Sequence, residues 1–275
     1  NVRVSLTCKC VEISHRFPLH LISFFRMLLY SIDFGKFGKV FIKNLSRRCP
    51  ASLVPIVTGE SWVKDIMGLS LRNVEVSVIS KNKVQAKQFG EMMFTHFGLT
   101  GPTILSLSHT VGKLLRKKNP QITIEINLKP ALTAEVLDKR LQKDFDLYSK
   151  KQLSNGMKDL LPVNLIPIII KLAELDPSKP INQITKEERL RLCHVLQHMT
   201  LTVKELRPVA EAIVTAGGIS LKEFSPKTME SKLVKGLYGA GEVLDIDAFT
   251  GGYNLQAAFS TGYVAAMHAV HGDEE

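Results

Sequence analysis

Two short runs, Val74–Ile79 (VEVSVI) and Ile122–Leu128 (ITIEINL), place an apolar residue at every second position. That period belongs to a half-buried strand, because successive side chains of a pleated chain leave on opposite faces. The turn Ser80-Lys81-Asn82-Lys83 joins the first run to a returning strand, giving a hairpin, and Pro130 stops the second run. The spacing predicts antiparallel, meander-like or barrel-like material.

Between 131 and 199 the text changes. Leu132-Thr133-Ala134-Glu135 caps a helix whose apolar side is read as Val136, Leu137 and Leu141. Further helical text surrounds Leu153–Leu161, Asn164–Leu175 and Lys186–Met199, punctuated by Pro162, Pro167, Pro177 and Pro180. Strands return at Leu201-Thr202-Val203 and at Glu211–Thr215, followed by the turn Ala216-Gly217-Gly218. A short apolar strand is expected over Gly236–Glu242, then Thr250-Gly251-Gly252-Tyr253-Asn254 leads into an Ala-rich helix over Leu255–Val270.

The 275 residues are 45% hydrophobic and 23% charged, which excludes a disordered or collagen-like chain and suggests about two domains. The net charge of +10 is unevenly placed: residues 1–50 hold nine basic and two acidic side chains, and the remainder carries a surplus of only three. The apolar stretch Phe17–Phe34 contains Pro18, His20, Arg26 and Asp33, a poor membrane span. Cys8, Cys10, Cys49 and Cys193 are too few and scattered for a disulfide framework, and point to a reducing, cytoplasmic setting.

The string from Lys227 to Ala266 carries the most chemistry. Gly241 and Glu242 offer a backbone approach and an acceptor for a ribityl or ribose hydroxyl. Gly251 and Gly252 open a helix without side-chain bulk, so its free N–H groups and positive end can face an electron-rich ring such as a flavin pyrimidine. The plainer reading is a structural glycine turn ahead of a packed helix.

The segments GEMMFTHFGLTGPTILSLS (Gly90–Ser108), VTAGGISLKEFSPKTMESKLVKGLYGAGEVLDID (Val214–Asp247) and TGGYNLQAAFSTGYVAA resemble the aminoacetone-oxidase-like FAD-binding flavoproteins, a family that includes reductases of dehydrogenated bile acids. SLVPIVTGESWVKDIMGLSLRNVEVSV resembles the same family's central region, so the similarity runs from about Pro50 to Gly272. The resemblance implies an α+β or α/β fold: part of a Rossmann-like FAD domain with an inserted β-barrel-like domain and a helical subdomain. It divides the chain into an unassigned leader at 1–45, the barrel at 46–130 and 200–226, the helical insert at 131–199, and the C-terminal part of the FAD domain at 227–275. It also implies FAD as cofactor, NAD(P)H as electron donor and a small-molecule substrate. Gly241, Glu242, Asp245, Asp247, Thr250, Gly251, Gly252, Tyr253 and Asn254 fall where the family holds the flavin; Asp245 and Asp247 either bond the ribityl chain or order their loop. Ala248 stands where the family usually has glycine.

Such flavoproteins open with a strand, a G-x-G-x-x-G turn and a helix that cradle the pyrophosphate. Residues 1–60 contain no such turn, and the first residue is Asn. The expectation is therefore a chain corresponding to the C-terminal two-thirds of a flavin oxidoreductase, preceded by an unrelated leader, that binds FAD weakly or not at all alone. A non-catalytic remnant or interaction module that no longer binds FAD is the alternative.

Three other features are weighed. His96, in the loop before Pro102, is a weak candidate proton donor or substrate contact, against a reading in which Thr95 and His96 bond the loop backbone. His194 and His198 lie one helical turn apart beside Cys193, but Val195 occupies the place a zinc-hydrolase motif gives to Glu, so no metal site is expected. Lys113–Lys118 reads as a solvated helix end. No aromatic-basic recognition module supports a nucleic-acid partner, none is expected for a membrane either, and the oligomeric state is not legible.

Overall fold

The computed structural model describes residues 50–117 and 121–271. The leader at 1–45, with Phe17–Phe34, Cys8 and Cys10, lies outside them, as do Cys49 and Lys118. The fold is mixed α and β. It comprises two compact units, one spanning Leu53–Glu211 and one containing Ser52 and the chain from Ala212 onward.

In the first unit six strands close into a barrel. They are β2 (Ile56–Thr58), β3 (Ser70–Ser80), β4 (Lys83–Phe94), β5 (Gly98–Thr100), β6 (Ile122–Asn127) and β7 (Met199–Leu206), in the order β2-β5-β4-β3-β6-β7. Every pairing is antiparallel, with Val76 opposite both Gln88 and Ile126. The alternation sets the register: Val74, Val76, Val78, Ile122, Ile124 and Ile126 are all buried. Lys81 and Asn82, with φ of 52° and 57°, make the tight hairpin turn between β3 and β4. Helix α1 (Pro102–Leu115) buries Ile104, Leu107, Val111 and Leu114 at helical spacing. Gly101 starts it at φ 99°, where a Cβ would lie 2.9 Å from Met92 Cα. At its other end Arg116 Nε donates to the Gly112 carbonyl at 3.0 Å, satisfying a terminal acceptor.

The helices of this unit follow β6. Thr133 caps α2 (Ala134–Leu147) by accepting the Val136 N–H at 3.3 Å. Its buried side is Leu137, Leu141 and Phe145; Val136, expected there, is 48% exposed, because it sits one residue off that four-residue spacing. The short helices α3 (Leu153–Gly156) and α4 (Ile166–Leu172) are briefer than their apolar text suggested. Thr185 and Glu188 form a reciprocal capping box at the start of α5 (Lys186–Gln197), and Met199 belongs to β7. Among the described residues no helix is long and apolar enough to cross a membrane.

In the second unit β1 (Ala51–Ser52) pairs with β8 (Val214–Thr215), Ser52 opposite Val214. Its buried cluster is Phe224, Met229, Leu244 and Ala265. Helix α6 (Tyr253–His271) closes it. Two strand expectations fail here. Only Val214 and Thr215 of the run Glu211–Thr215 are extended, since Val209–Glu211 is a 3-10 turn closed on the Pro208 carbonyl. Gly236–Glu242 is no strand: Gly236 and Gly241 both sit at φ 78°, Tyr238 makes one isolated bridge with Glu230, and Gly241–Val243 is a 3-10 turn.

Candidate functional site

Within the second unit the glycine loops and the start of α6 meet around a small cavity of about 10 Å³, lined by Val214, Thr215, Gly241, Glu242, Ile246, Asn254, Ala257 and Ala258. Three polar clamps hold this geometry. The Ser52 hydroxyl, fully buried, donates to both Asp247 carboxylate oxygens at 2.9 and 3.0 Å. The Asn254 side chain grips the Ala248 backbone, accepting its N–H at 2.9 Å and donating to its carbonyl at 3.0 Å. The Gly241 N–H donates to Thr261 Oγ at 3.0 Å, and that hydroxyl turns back to the Ala257 carbonyl at 2.7 Å.

Gly241, Glu242 and Asn254 therefore share one cavity, whereas Asp247 and Asn254 spend their side chains on the loop itself. Gly251 and Gly252, at φ 109° and 89°, turn the chain into α6, and Tyr253 is 64% exposed. Asp245 donates its own N–H to the Ile219 carbonyl at 2.9 Å, and Thr250 sits in the turn just ahead of the glycine pair. Ser52, Thr215, Ala257, Ala258 and Thr261 went unread in the sequence. Asn254, Ala257, Ala258 and Thr261 follow helical spacing, so the helix face that carries Asn254 contained the signal.

The cavity itself, at about 10 Å³, has room for a water and not for a ring, so any larger group would lie on the exposed backbone beside it. A side chain at Gly241 or Gly252 would meet nothing within 4 Å, so the loop presents open backbone rather than packed glycines. The carboxylates of Glu242 and Asp245 disfavour a phosphate beside them and suit hydroxyl donors, while both oxygens of Asp247 are engaged by Ser52. The N-terminus of α6 supplies the positive end of a long helix dipole.

In the barrel unit, Thr95 carries the loop that holds His96: its hydroxyl accepts the Gly98 N–H at 3.1 Å, and its N–H donates to the Gly98 carbonyl at 2.8 Å. His96 meets the Phe97 ring edge-on at 4.9 Å, and the Arg207 guanidinium lies 4.5 Å over that ring. Arg207 in turn makes a two-pronged bond to Glu211 at 2.9 and 2.6 Å, which holds the Glu211 carboxyl below its ordinary range. His194 and His198 stack at 4.8 Å, and His198 Nδ1 lies 3.1 Å from Glu125. No cluster of three or more metal-ligating side chains occurs among the described residues. Burial pushes the Cys193 thiol up to about 11, so it stays protonated and inert at neutral pH.

The profile of the family described as "HI0933-like protein barrel and H2TH domain" matches residues 50–214. The chain is similar to the 3-dehydro-bile acid delta(4,6)-reductase of Clostridium scindens, 27% identical over 72% of this chain and 48% of that protein. It is also similar to the ribosomal RNA dihydrouridine synthases of Haemophilus influenzae and Escherichia coli. The first is 31% identical over 79% of this chain and 51% of the relative. The second is 27% identical over 80% and 52%. The chain thus spans about half the length of the curated relatives it matches. A closed six-stranded barrel with an appended set of helices, over the matched residues, places the chain in the HI0933-like family, which is related to flavin-dependent oxidoreductases.

Proposed function

We propose that the chain is part of an FAD-dependent oxidoreductase, with the glycine loops and the start of α6 as its share of the flavin site. The observation that supports this reading is the convergence of Gly241, Glu242 and the Asn254 face of α6 around one small cavity, held by three side-chain clamps, with open backbone at Gly241 and Gly252 beside it. The chemistry a flavin supplies when bound is two-electron transfer, with NAD(P)H as the proposed source of electrons. The relatives' names share one use of it. A 3-dehydro bile acid with delta-4,6 unsaturation and the uracil ring both carry a carbon–carbon double bond conjugated to a carbonyl. A conjugated alkene of this kind is the substrate class proposed here, with the uracil of an RNA as the second form, favoured by the 31% identity to the Haemophilus protein.

The chain's own residues would hold and orient. Glu242 and Asp245 would accept hydroxyl bonds, open backbone at Gly241 and Gly252 would let a ring approach the α6 terminus, and Ser52 fixes Asp247 so that the loop keeps its shape. The residues named here would meet the ring and ribityl side only, so weak binding of FAD by this chain is part of the proposal. The test is a titration of the purified chain with FAD, followed by flavin fluorescence. A colourless preparation is expected, with weak binding that Gly252→Val abolishes. A yellow preparation holding one flavin per chain would overturn the weak-binding expectation, and binding indifferent to Gly252→Val would overturn the site.

A further inference from the structure

Between Val76 and Ile124 the chain holds one carboxylate, Glu91, against seven lysines and arginines. In the sequence these cations form two separate groups, Lys81–Lys87 and Lys113–Lys118. The register of the barrel brings the two groups to one end. Ser80, the last residue of β3, stands opposite both Lys83 of β4 and Ile122 of β6. The Lys81-Asn82 turn and the start of β6 are therefore neighbours, with Ser80 and Ile122 about 5 Å apart. Four residues separate Ile122 from Lys117, so the end of α1 lies within about 18 Å of that strand start. Lys81, Lys83, Lys113, Arg116 and Lys117 are all exposed. Among the described residues none of the five has a carboxylate within ion-pair distance. Farther along the strands the cations are matched, Lys87 with Glu75 at 2.7 Å and Arg72 with Glu91 at 3.6 Å. On β7, Lys204 and Glu205 offset each other.

We propose that this end of the barrel is a docking surface for RNA, held through its phosphates. The inference rests on the RNA form of the substrate proposed above, and it adds where that RNA would lie. Cations left without carboxylate partners make a positive field that a polyanion neutralises, releasing its own counterions. Their number decides between polyanions and small anions. A single phosphate group carries at most about two charges and cannot balance five cations. A nucleic-acid strand carries one charge about every 3.4 Å, so several phosphates fall within the reach of about 23 Å between Lys117 and Ser80. A membrane is a poorer match, because docking on a bilayer needs a broad apolar face beside the cations. The turn offers the polar Asn82 and Gln85, and Val84 is the one exposed large apolar side chain next to it. All of these residues lie in the first unit, and none belongs to the glycine-loop site.

The test is fluorescence anisotropy of the full chain, without flavin, against an oligouridylate of about 20 nucleotides over a salt series from about 50 to 200 mM. Lys83→Gln combined with Lys117→Gln is expected to weaken binding roughly tenfold. It should also flatten the slope of log affinity against log salt by about 1.4, the loss of two phosphate contacts to a single strand. Lys139→Gln combined with Lys143→Gln, on α2, changes the net charge equally and should alter neither quantity. Unchanged urea midpoints report an intact barrel in both variants. No RNA binding by the unaltered chain at low salt overturns the proposal. So does binding that Lys83→Gln with Lys117→Gln leaves unchanged, as it would if the basic residues before Pro50 held the RNA. An equal loss in the α2 variant would show a response to net charge alone and overturns it too. Retention on phosphatidylserine vesicles without RNA binding would assign the surface to a membrane and overturn it. Because no flavin is present, failure here leaves the FAD titration and its Gly252→Val arm standing, and failure there leaves the RNA affinity standing.

Discussion

Asp138 and Arg189 meet at 2.6 Å with only 17% and 15% of their side chains exposed, joining α2 to α5. The carboxylate also accepts from Gln142 at 2.9 Å. The Arg189 hydrogen bond is the main reason its pKa lies below the ordinary Asp range. A depressed carboxylate contributes its full stability above the unfolded pKa and loses it as the pH falls through the folded value. Asp138→Asn is therefore expected to cost about 1–2 kcal/mol at neutral pH, since a charge-assisted bond is lost and a cation is left with poorer company. The deficit should shrink as the solution is acidified below the ordinary carboxylate range. Urea unfolding at pH 7 and at pH 3 measures it; an equal deficit at both would mean that the ion pair is not its source.

At the scale of elements, the barrel strands and the capped helices rest on different forces. Ile126 is fully buried in β6 opposite Val76 and Met199, so Ile126→Ala should destabilise by about 2–4 kcal/mol through lost burial and a cavity. Thr185→Ala removes the capping box of α5, an exposed feature, and should cost about 1 kcal/mol. Chemical denaturation of both variants separates the two forces. These elements were legible because their causes are local: a period of two in VEVSVI and ITIEINL, and helical text over Lys186–Met199, although the Thr185–Glu188 pair that caps that helix went unread. Gly236–Glu242 was misread because a short apolar run between glycines looks the same whether or not a neighbouring strand pairs with it. The glycines of the candidate site were visible for the same local reason. Ser52 was not, because its partner Asp247 lies 195 residues away and nothing in the local text announces such a bond.

The chain as a whole is unequal in what holds it. The barrel unit owns a core that runs from Ile56 to Val203 and includes the helices' Leu137, Leu141, Ile169 and Leu196. The second unit has a buried cluster of Phe224, Met229, Leu244 and Ala265, with many of its turns bonded through single bridges. Apolar burial is the main favourable term in folding, and local opening costs least where few apolar contacts are broken. The two units should therefore open at different free energies. Amides of β3, β4, β6 and β7 are expected to exchange only through the deepest opening, whereas those of Ile219–Leu244 exchange through a shallower one at lower denaturant. The helical stretch from α2 to α5 should exchange with the barrel, because its apolar residues join the same cluster. Native-state exchange across a denaturant series measures this order directly. A single merged isotherm for all these segments would show that the second unit draws stability from more than its own small core. It would then have to come from contacts beyond the four-residue cluster, among them those of the partly buried Ile219, Tyr238, Val243 and Ile246 packed around it.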